Sequence, residues 1–435
     1  MANVKPFRGL RYDTKRTGPL SGVTTPPYDI ISPLEQEMYC KKHKNSIIHL
    51  ELGKTYDTDT DTNNRYTRAR DYLNDWMAEG ILKFEDAPAY YLYEEVFTLP
   101  DGSLKSLKGL ISAVELVPFS EKIVLPHEET LSKAKADRFQ LMDATHANFS
   151  PIYFLYMDEK KTVNQIISDV SKNAPEESFQ TPDGITHNLW VIKDKDLLSQ
   201  IESAFADKQL FIADGHHRYE TALNFREKLK QETPGFDALH GGNFILAFAV
   251  EMDNPGLVVL PTHRILQNLD GFDEEKTLAA LNENFSVEKR TAKDAAVEAE
   301  AALSRCQNGT AFAFYTGKDY FYLVTLSSQS AMKDALPNRS DAYRGLDVSV
   351  LHTLILDKIF GIDTENMANQ KNLIYTKFAG EAIDAVKQGK AQCSFLLNAT
   401  KVRQIKDVSL LNEKMPQKST YFYPKLITGL VINKF

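Results

Sequence analysis

The chain has 435 residues, too many for one small core, and its 43% apolar and 25% charged residues are ordinary for a globular protein. A net charge of -8 argues against a surface built for nucleic acid or an anionic membrane, and three scattered cysteines without a C-x-x-C argue against a disulfide framework or a zinc site. The first residues lack the apolar core of a signal peptide and no run approaches a membrane span, so a cytoplasmic protein with no membrane partner is expected.

Near the start, "GVTTPPYDIIS" carries Pro26 and Pro27, which fix an extended segment, and Asp29 follows them. The spacing of Tyr66, Ala69, Leu73 and Trp76 predicts a helix over Asn64–Glu79, stopped by Gly80. "AYYLYEEVFTLPDGSLKSLKGLISAVELV" predicts a β-hairpin turning at Asp101-Gly102. "VLPHEET", Val124–Thr130, comes next, with His127, Glu128 and Glu129 behind a stiffening Pro126 and ahead of a helix. A carboxylate there suits a general base for a hydroxyl, and it equally suits the acidic start of a helix. Leu210–Ala213 is an apolar run fit for a buried strand, and from Tyr219 onward Ala222, Leu223 and Leu229 follow helical spacing.

Two more hairpins are predicted, one in "FILAFAVEMDNPGLVVLPTH" turning at Asn254–Gly256 and one in "TAFAFYTGKDYFYLVTL" turning near Gly317. A helix over Asp347–Phe360 would bury Val350, Leu351, Leu354, Ile355 and Ile359. The tail reads as strand ("NLIYT"), helix closed by Gly389, and strand ("CSFLLNA"). The expected class is therefore α/β, mixed α+β. Three regions are expected: residues 1–105 with the PPYD segment, 106–265 as the core, and 266–435 as a further α/β region.

The densest chemistry is "ADGHHR", where a strand gives way to a helix. A helix start offers backbone N–H groups and the positive end of its dipole, which together favour an anion, usually a phosphate. Gly215 lets the backbone approach a ligand, Arg218 can fork onto phosphate oxygens, and His216 and His217 can donate to them or shuttle protons. Asp214 can hold magnesium through water or position a histidine. The plain alternative is that Asp214 serves as a helix cap and Arg218 pairs with Asp214 or Glu220. No protein metal cluster is expected, because no histidine or cysteine partner stands at ligand spacing. Two further stretches attract attention. "MPQKSTYFYPK" places Lys418, Ser419 and Thr420 in a loop that can clamp a carboxylate or phosphate, or be a solvated turn. "LPTHRIL" places His263 and Arg264 together, at a strand end holding an anion or in a surface bridge.

Taken together, "PPYDIIS", "PHEET", "DGHHRYETAL", "LPTHRIL" and "MPQKSTYFYPKL" resemble the prokaryotic domain-of-unknown-function family ten-fifteen, often labelled ParB-like, over about Lys5 to Leu430. Pro126-His127-Glu128, Asp214–Arg218 and Pro416–Thr420 also resemble the motifs of the free serine kinases, which have the ParB/sulfiredoxin-like fold. That resemblance implies a ParB/sulfiredoxin-like nucleotide-binding core with added N-terminal and central subdomains. It implies Glu128 as the base, Gly215, His216, His217 and Arg218 around nucleotide phosphates, and Lys418, Ser419 and Thr420 toward the substrate. Asp214 and His217 join Glu128 as candidate catalytic groups, with His127, Asp29, His263 and Arg264 as secondary ones. Tyr421-Phe422 stand where the kinases have an Arg-His pair, so the acceptor is open.

The expected function is transfer of a phosphoryl group from a nucleotide to a hydroxyl, that of free L-serine or a similar hydroxy acid. ATP is the favoured donor over ADP or CTP, with magnesium carried by the phosphates. The alternative is a ParB-like nucleotide-binding protein, DNA- or partner-associated, without kinase activity. The chain's acidity and the lack of a basic recognition segment weigh against nucleic acid. A sulfiredoxin-like reductase is set aside, because His216 stands where the nucleophilic cysteine would be. The PPYD segment either gates the site or forms a homodimer interface, and the residues leave both readings open.

Overall fold

A computed structural model describes residues 1–129 and 132–435, apart from the side chains of 132–134 and 368. It is a mixed α/β structure in two compact units. One comprises Met1–Pro126, Thr130–Leu257 and Pro424–Phe435; the other comprises His127–Glu129 and Val258–Tyr423.

The first unit is organised on a nine-stranded mixed sheet. Its strands run in the order Val124–Leu125, Leu210–Asp214, Ile152–Tyr156, Phe244–Glu251, Leu104–Glu115, Tyr90–Thr98, Thr186–Ile192 and Glu177–Gln180, with Val4–Lys5 added beside Leu104–Glu115. The Asp101-Gly102 hairpin forms as expected, with Tyr91 opposite Ile111 and Thr98 opposite Leu104, and Gly102 takes a φ of 83°. Its central strands are buried on both faces, which is why "YYLYEEVF" does not alternate cleanly between apolar and polar. One face packs Ile152, Phe154 and Ile212 against Ile166, Ile201, Phe205, Tyr219 and Phe225. The helix expected over Asn64–Glu79 spans Arg65–Ala78. Asn64 accepts from the amides of Tyr66 and Thr67, and Thr67 Oγ1 accepts from the Asn64 amide, a reciprocal cap.

Inside this sheet lies a polar chain. Glu95 has no exposed surface; its Oε1 is 2.9 Å from the Tyr93 hydroxyl, which is 2.7 Å from His187 Nδ1. His187 Nε2 is 2.9 Å from Thr181 Oγ1, which donates to Asp183 Oδ1 at 2.6 Å. Burial above all pushes the Glu95 carboxyl up to about 8 and the His187 imidazole down to about 4.

The hairpin expected across Asn254–Gly256 does not form. The turn is real, with the Leu257 amide on Asn254 O at 2.9 Å, but Phe244–Glu251 pairs with Leu104–Glu115 and Ile152–Tyr156 instead. Val258–Leu260 pairs within the second unit, with Tyr421–Tyr423. The cause is local. Gly256 is seated on the backbone of Ser106, where a Cβ would lie 1.9 Å from the carbonyl oxygen, and Asn254 Nδ2 donates to Lys108 O at 3.2 Å.

The second unit has a six-stranded antiparallel sheet in the order Phe285–Thr291, Tyr320–Leu326, Ala311–Tyr315, Cys393–Leu397, His263–Leu266 and Leu373–Thr376. The Gly317 hairpin and the strand–helix–strand tail are as expected. Ala295–Ser304 and Ala379–Lys387 lie on one face, where Ala299, Ala302, Ala379 and Ala382 permit close approach. On the sheet's aromatic side, Phe314 stacks on Phe395 at 4.7 Å. The helix expected over Asp347–Phe360 changes pitch. Asp347–Val350 is α-helical and Leu351–Asp357 is π-helical. The wider turn rotates the apolar face, so Leu356 is buried and Ile359 only half-buried.

Candidate functional site

The candidate residues fall into two groups, one in each unit. In the first unit, Leu210–Asp214 delivers Asp214 to the end of a buried strand, and His216–Glu232 is the helix that follows. Gly215 stands at the N-cap with a φ of 95° and has no side chain to close the first turn. A Cβ there would lie 3.0 Å from Ile152 Cδ1 and 3.1 Å from Arg218 Nε, so the glycine serves both conformation and space. His216 is buried and His217 half-buried in that first turn.

Asp214 is bound on both oxygens. Oδ2 accepts from Arg218 Nη2 at 2.7 Å, and Oδ1 accepts from Lys425 Nζ. Arg218 Nη1 donates to Pro151 O at 2.7 Å. Burial alone would raise the Asp214 carboxyl, but the charges of Lys425 and Arg218 override it and hold it well below the usual carboxylate range. The plain alternative for Arg218, pairing with Asp214, is therefore what the structure contains. Each oxygen of Asp214, the residue expected to meet magnesium through water, accepts from one cationic side chain.

A second layer lies around this pair. Glu51 is buried, accepts from Ser150 Oγ at 2.9 Å and is 3.2 Å from Arg138 Nη1. The Arg138 guanidinium sits 3.9 Å from the centre of the Tyr28 ring. Burial pushes Glu51 up, against the pull of Arg138 and Ser150, and takes the Tyr28 phenol up to about 12. Desolvation works against the Arg218 charge, but Asp214, Tyr28, exposed Asp29 and Glu51 together keep its basicity raised. Tyr28 and Asp29 of the PPYD segment thus belong to the surroundings of Arg218. Among the described residues, no cluster of three or more His, Cys, Asp or Glu could hold a metal ion.

In the second unit, the Met415 amide donates to His127 O at 2.7 Å, which makes a parallel bridge between Glu128 and Met415. The Lys418 amide donates to Glu128 Oε1 at 3.0 Å, with Lys418 at a φ of 56°. His127 is fully buried and its Nε2 is 3.0 Å from Thr420 Oγ1. Ser419 does not present its hydroxyl outward: it is buried and donates to Pro416 O at 2.5 Å. Thr130, the last residue of "PHEET", lies outside the described residues.

Arg264 is wholly buried, so the surface-bridge reading of the "THR" segment does not hold. It donates through Nη1 to Thr262 O and through Nη2 to Lys418 O at 3.1 Å, and it lies over the Tyr375 ring at 4.8 Å. Burial brings its guanidinium down to about 10, against the opposing influence of Tyr375 and Glu128. His263, next along the strand, points to the other face, where its Nδ1 accepts from the Leu397 amide at 3.3 Å. Burial, reinforced by the charge of Arg264, takes it down to about 4. The two do not act as a pair.

Residues 4–349 match the family described as "Protein of unknown function (DUF1015)". The chain belongs to that family. The matched span of this DUF1015 protein holds the Glu128 segment, the Asp214–Arg218 corner and Arg264, and stops before the Lys418 loop. No curated protein matches it. Solved structures with some similarity include a glutamate-to-alanine variant of free serine kinase in complex with ADP, at 13% identity and a TM-score of 0.36, covering 72% of this chain and 87% of that one. A conserved hypothetical protein from Pyrococcus furiosus has 13% identity and a TM-score of 0.33, covering 72% and 90%. SbnI with a C-terminal truncation, from Staphylococcus aureus, has 10% identity and a TM-score of 0.35, covering 74% and 86%.

Several residues around the DUF1015 protein's candidate site carry no local signal. Lys425 stands at the end of a quoted motif, but its pairing with Asp214 spans 211 positions. Glu51 and Arg138 sit in ordinary helical text. The one available hint was composition: a buried Arg or Glu requires a partner, and nothing in a sequence states burial.

Proposed function

We propose that this protein transfers a phosphoryl group from a nucleotide, ATP in the first instance, to the hydroxyl of free L-serine or a similar hydroxy acid. The observation that carries the reading is the Asp214–Arg218 corner. There a left-handed glycine opens a long helix, and Asp214 gathers two cations, Arg218 and Lys425, at that helix's start. The first-turn amides of His216, His217 and Arg218 suit phosphate oxygens, and the dipole adds to their attraction. A ParB/sulfiredoxin-like core for this unit belongs to the same reading.

Glu128 takes the role of base. In the transfer, the acceptor's O–H loses its proton to that carboxylate while its oxygen attacks the terminal phosphorus, and the bond to the nucleotide's bridging oxygen breaks. Exposed Lys418 is suited to the acceptor's carboxylate. Magnesium would come with the phosphates and neutralise part of their charge.

The test is a transfer assay on the full chain with ATP, ADP or CTP, magnesium and free serine, reading phosphoserine by mass spectrometry. Wild-type protein should form product. Glu128→Gln should lose about a hundredfold or more in kcat with nucleotide Kd within about twofold. Turnover retained in that variant removes Glu128 from the base role, and no product with any donor removes the kinase reading.

A further inference from the structure

Arg264 is a buried cation with an unusual set of neighbours. It has no exposed surface, its Nε has no hydrogen-bond partner, and among the described residues no carboxylate lies within ion-pair distance of it. Its remaining contacts are two backbone carbonyls, the ring of Tyr375, and His352 Nε2 at 3.2 Å. A charge buried without a paired acid is costly and is seldom kept for packing alone.

The Lys418 residue links this cation to Glu128. Its carbonyl accepts from Arg264 Nη2, and its amide donates to Glu128 Oε1. Lys418 is held in the left-handed region, a conformation that a lysine keeps only where its surroundings fix it. The backbone is thus gripped at both ends by side chains from distant parts of the sequence. Among the described residues, the charged and titratable groups near Glu128 include Arg264 and Tyr375 from the sheet, Lys418 from the loop, and His127 and Glu129 from its own segment. His127 is occupied with Thr420. Arg264 and Glu128 act on one another electrostatically, and Arg264 does so from the buried interior of the unit, where solvent screens a charge least.

We propose that Arg264 is a positioning residue for Glu128: through Lys418 it fixes where the carboxylate stands, and its buried charge keeps that carboxylate ionised. The kinetic part rests on the phosphoryl-transfer reading above, and the titration part does not.

The experiment labels the glutamates of the full chain with carboxyl carbon-13 and assigns Glu128 by the signal lost in Glu128→Gln. In Arg264→Leu the Glu128 midpoint should rise by about one unit or more, and the acidic limb of kcat should move with it. An unmoved midpoint in a folded Arg264→Leu overturns the proposal. Arg264→Lys keeps the charge and loses the fork. It should hold the midpoint near wild type while amide exchange over Lys418–Thr420 speeds about tenfold. Unchanged exchange there overturns the positioning role, even if Arg264→Leu fails to fold. If the wild type makes no phosphoserine, the function fails while the midpoint and exchange still decide Arg264.

Discussion

Glu95 is an acid without exposed surface, and the way it is held sets a dependence on pH. Its folded pKa of about 8 lies above the ordinary 4.5, so the folded state keeps a proton that the unfolded chain releases. Stability is therefore lost as pH rises from about 4.5 toward 8. His187 acts in the opposite direction, because its folded value of about 4 lies below the ordinary 6.5, and stability is lost as pH falls through that range. Glu95→Gln should match wild type in Tm near pH 5 and exceed it near pH 8, as thermal melts at the two pH values would read. A lower Tm at both would mean that the acid itself is needed. At this scale the corner was legible in part: the order D-G-H-H-R announces a strand-to-helix junction with charge. The partner of Arg218 was one of two readings, and Lys425 was invisible, since pairing across the chain leaves no local mark.

At the scale of elements, local patterns succeeded where local chemistry governs. Asn64 and Thr67 cap their helix, and Asp101-Gly102 turns its hairpin, because those residues favour the conformations by themselves. They failed where a neighbour decides. The Asn254–Gly256 turn was legible, but what it joins was not, and the π-helical pitch of Leu351–Asp357 buries Leu356 and leaves Ile359 half-buried, which periodicity alone does not place. Two glycines make the contrast measurable. Gly102 has φ 83° and open space around it, so Gly102→Ala should cost about 1 kcal/mol from conformation alone. Gly256 sits against the Ser106 carbonyl, so Gly256→Ala should cost about 4 kcal/mol or prevent folding. Urea unfolding of the two variants checks the ranking, and equal losses would contradict it.

For the molecule as a whole, the first unit is discontinuous. Its sheet is made from the early chain, yet Pro424–Phe435 belongs to it. Asn433 and Lys434 pair with Asn148 and Ala147, the Thr428 amide donates to Thr25 O at 2.8 Å, and Ile432 exchanges hydrogen bonds with Leu10. Deleting the residues after Tyr423 should therefore damage the first unit rather than the one that precedes the cut. Calorimetry should show its transition lowered or lost, and nucleotide binding should weaken by tenfold or more as Lys425 leaves Asp214. An unchanged melt would show that these contacts add little.

That return of the chain has a consequence in time. A ribosome adding roughly 5–20 residues per second completes most of the first sheet early. It then makes all of Val258–Tyr423 before Pro424 appears, a delay on the order of ten seconds. Through that interval Asp214 has Arg218 beside it in sequence but not Lys425. The corner gains its second cation only after the whole of the other unit has been made.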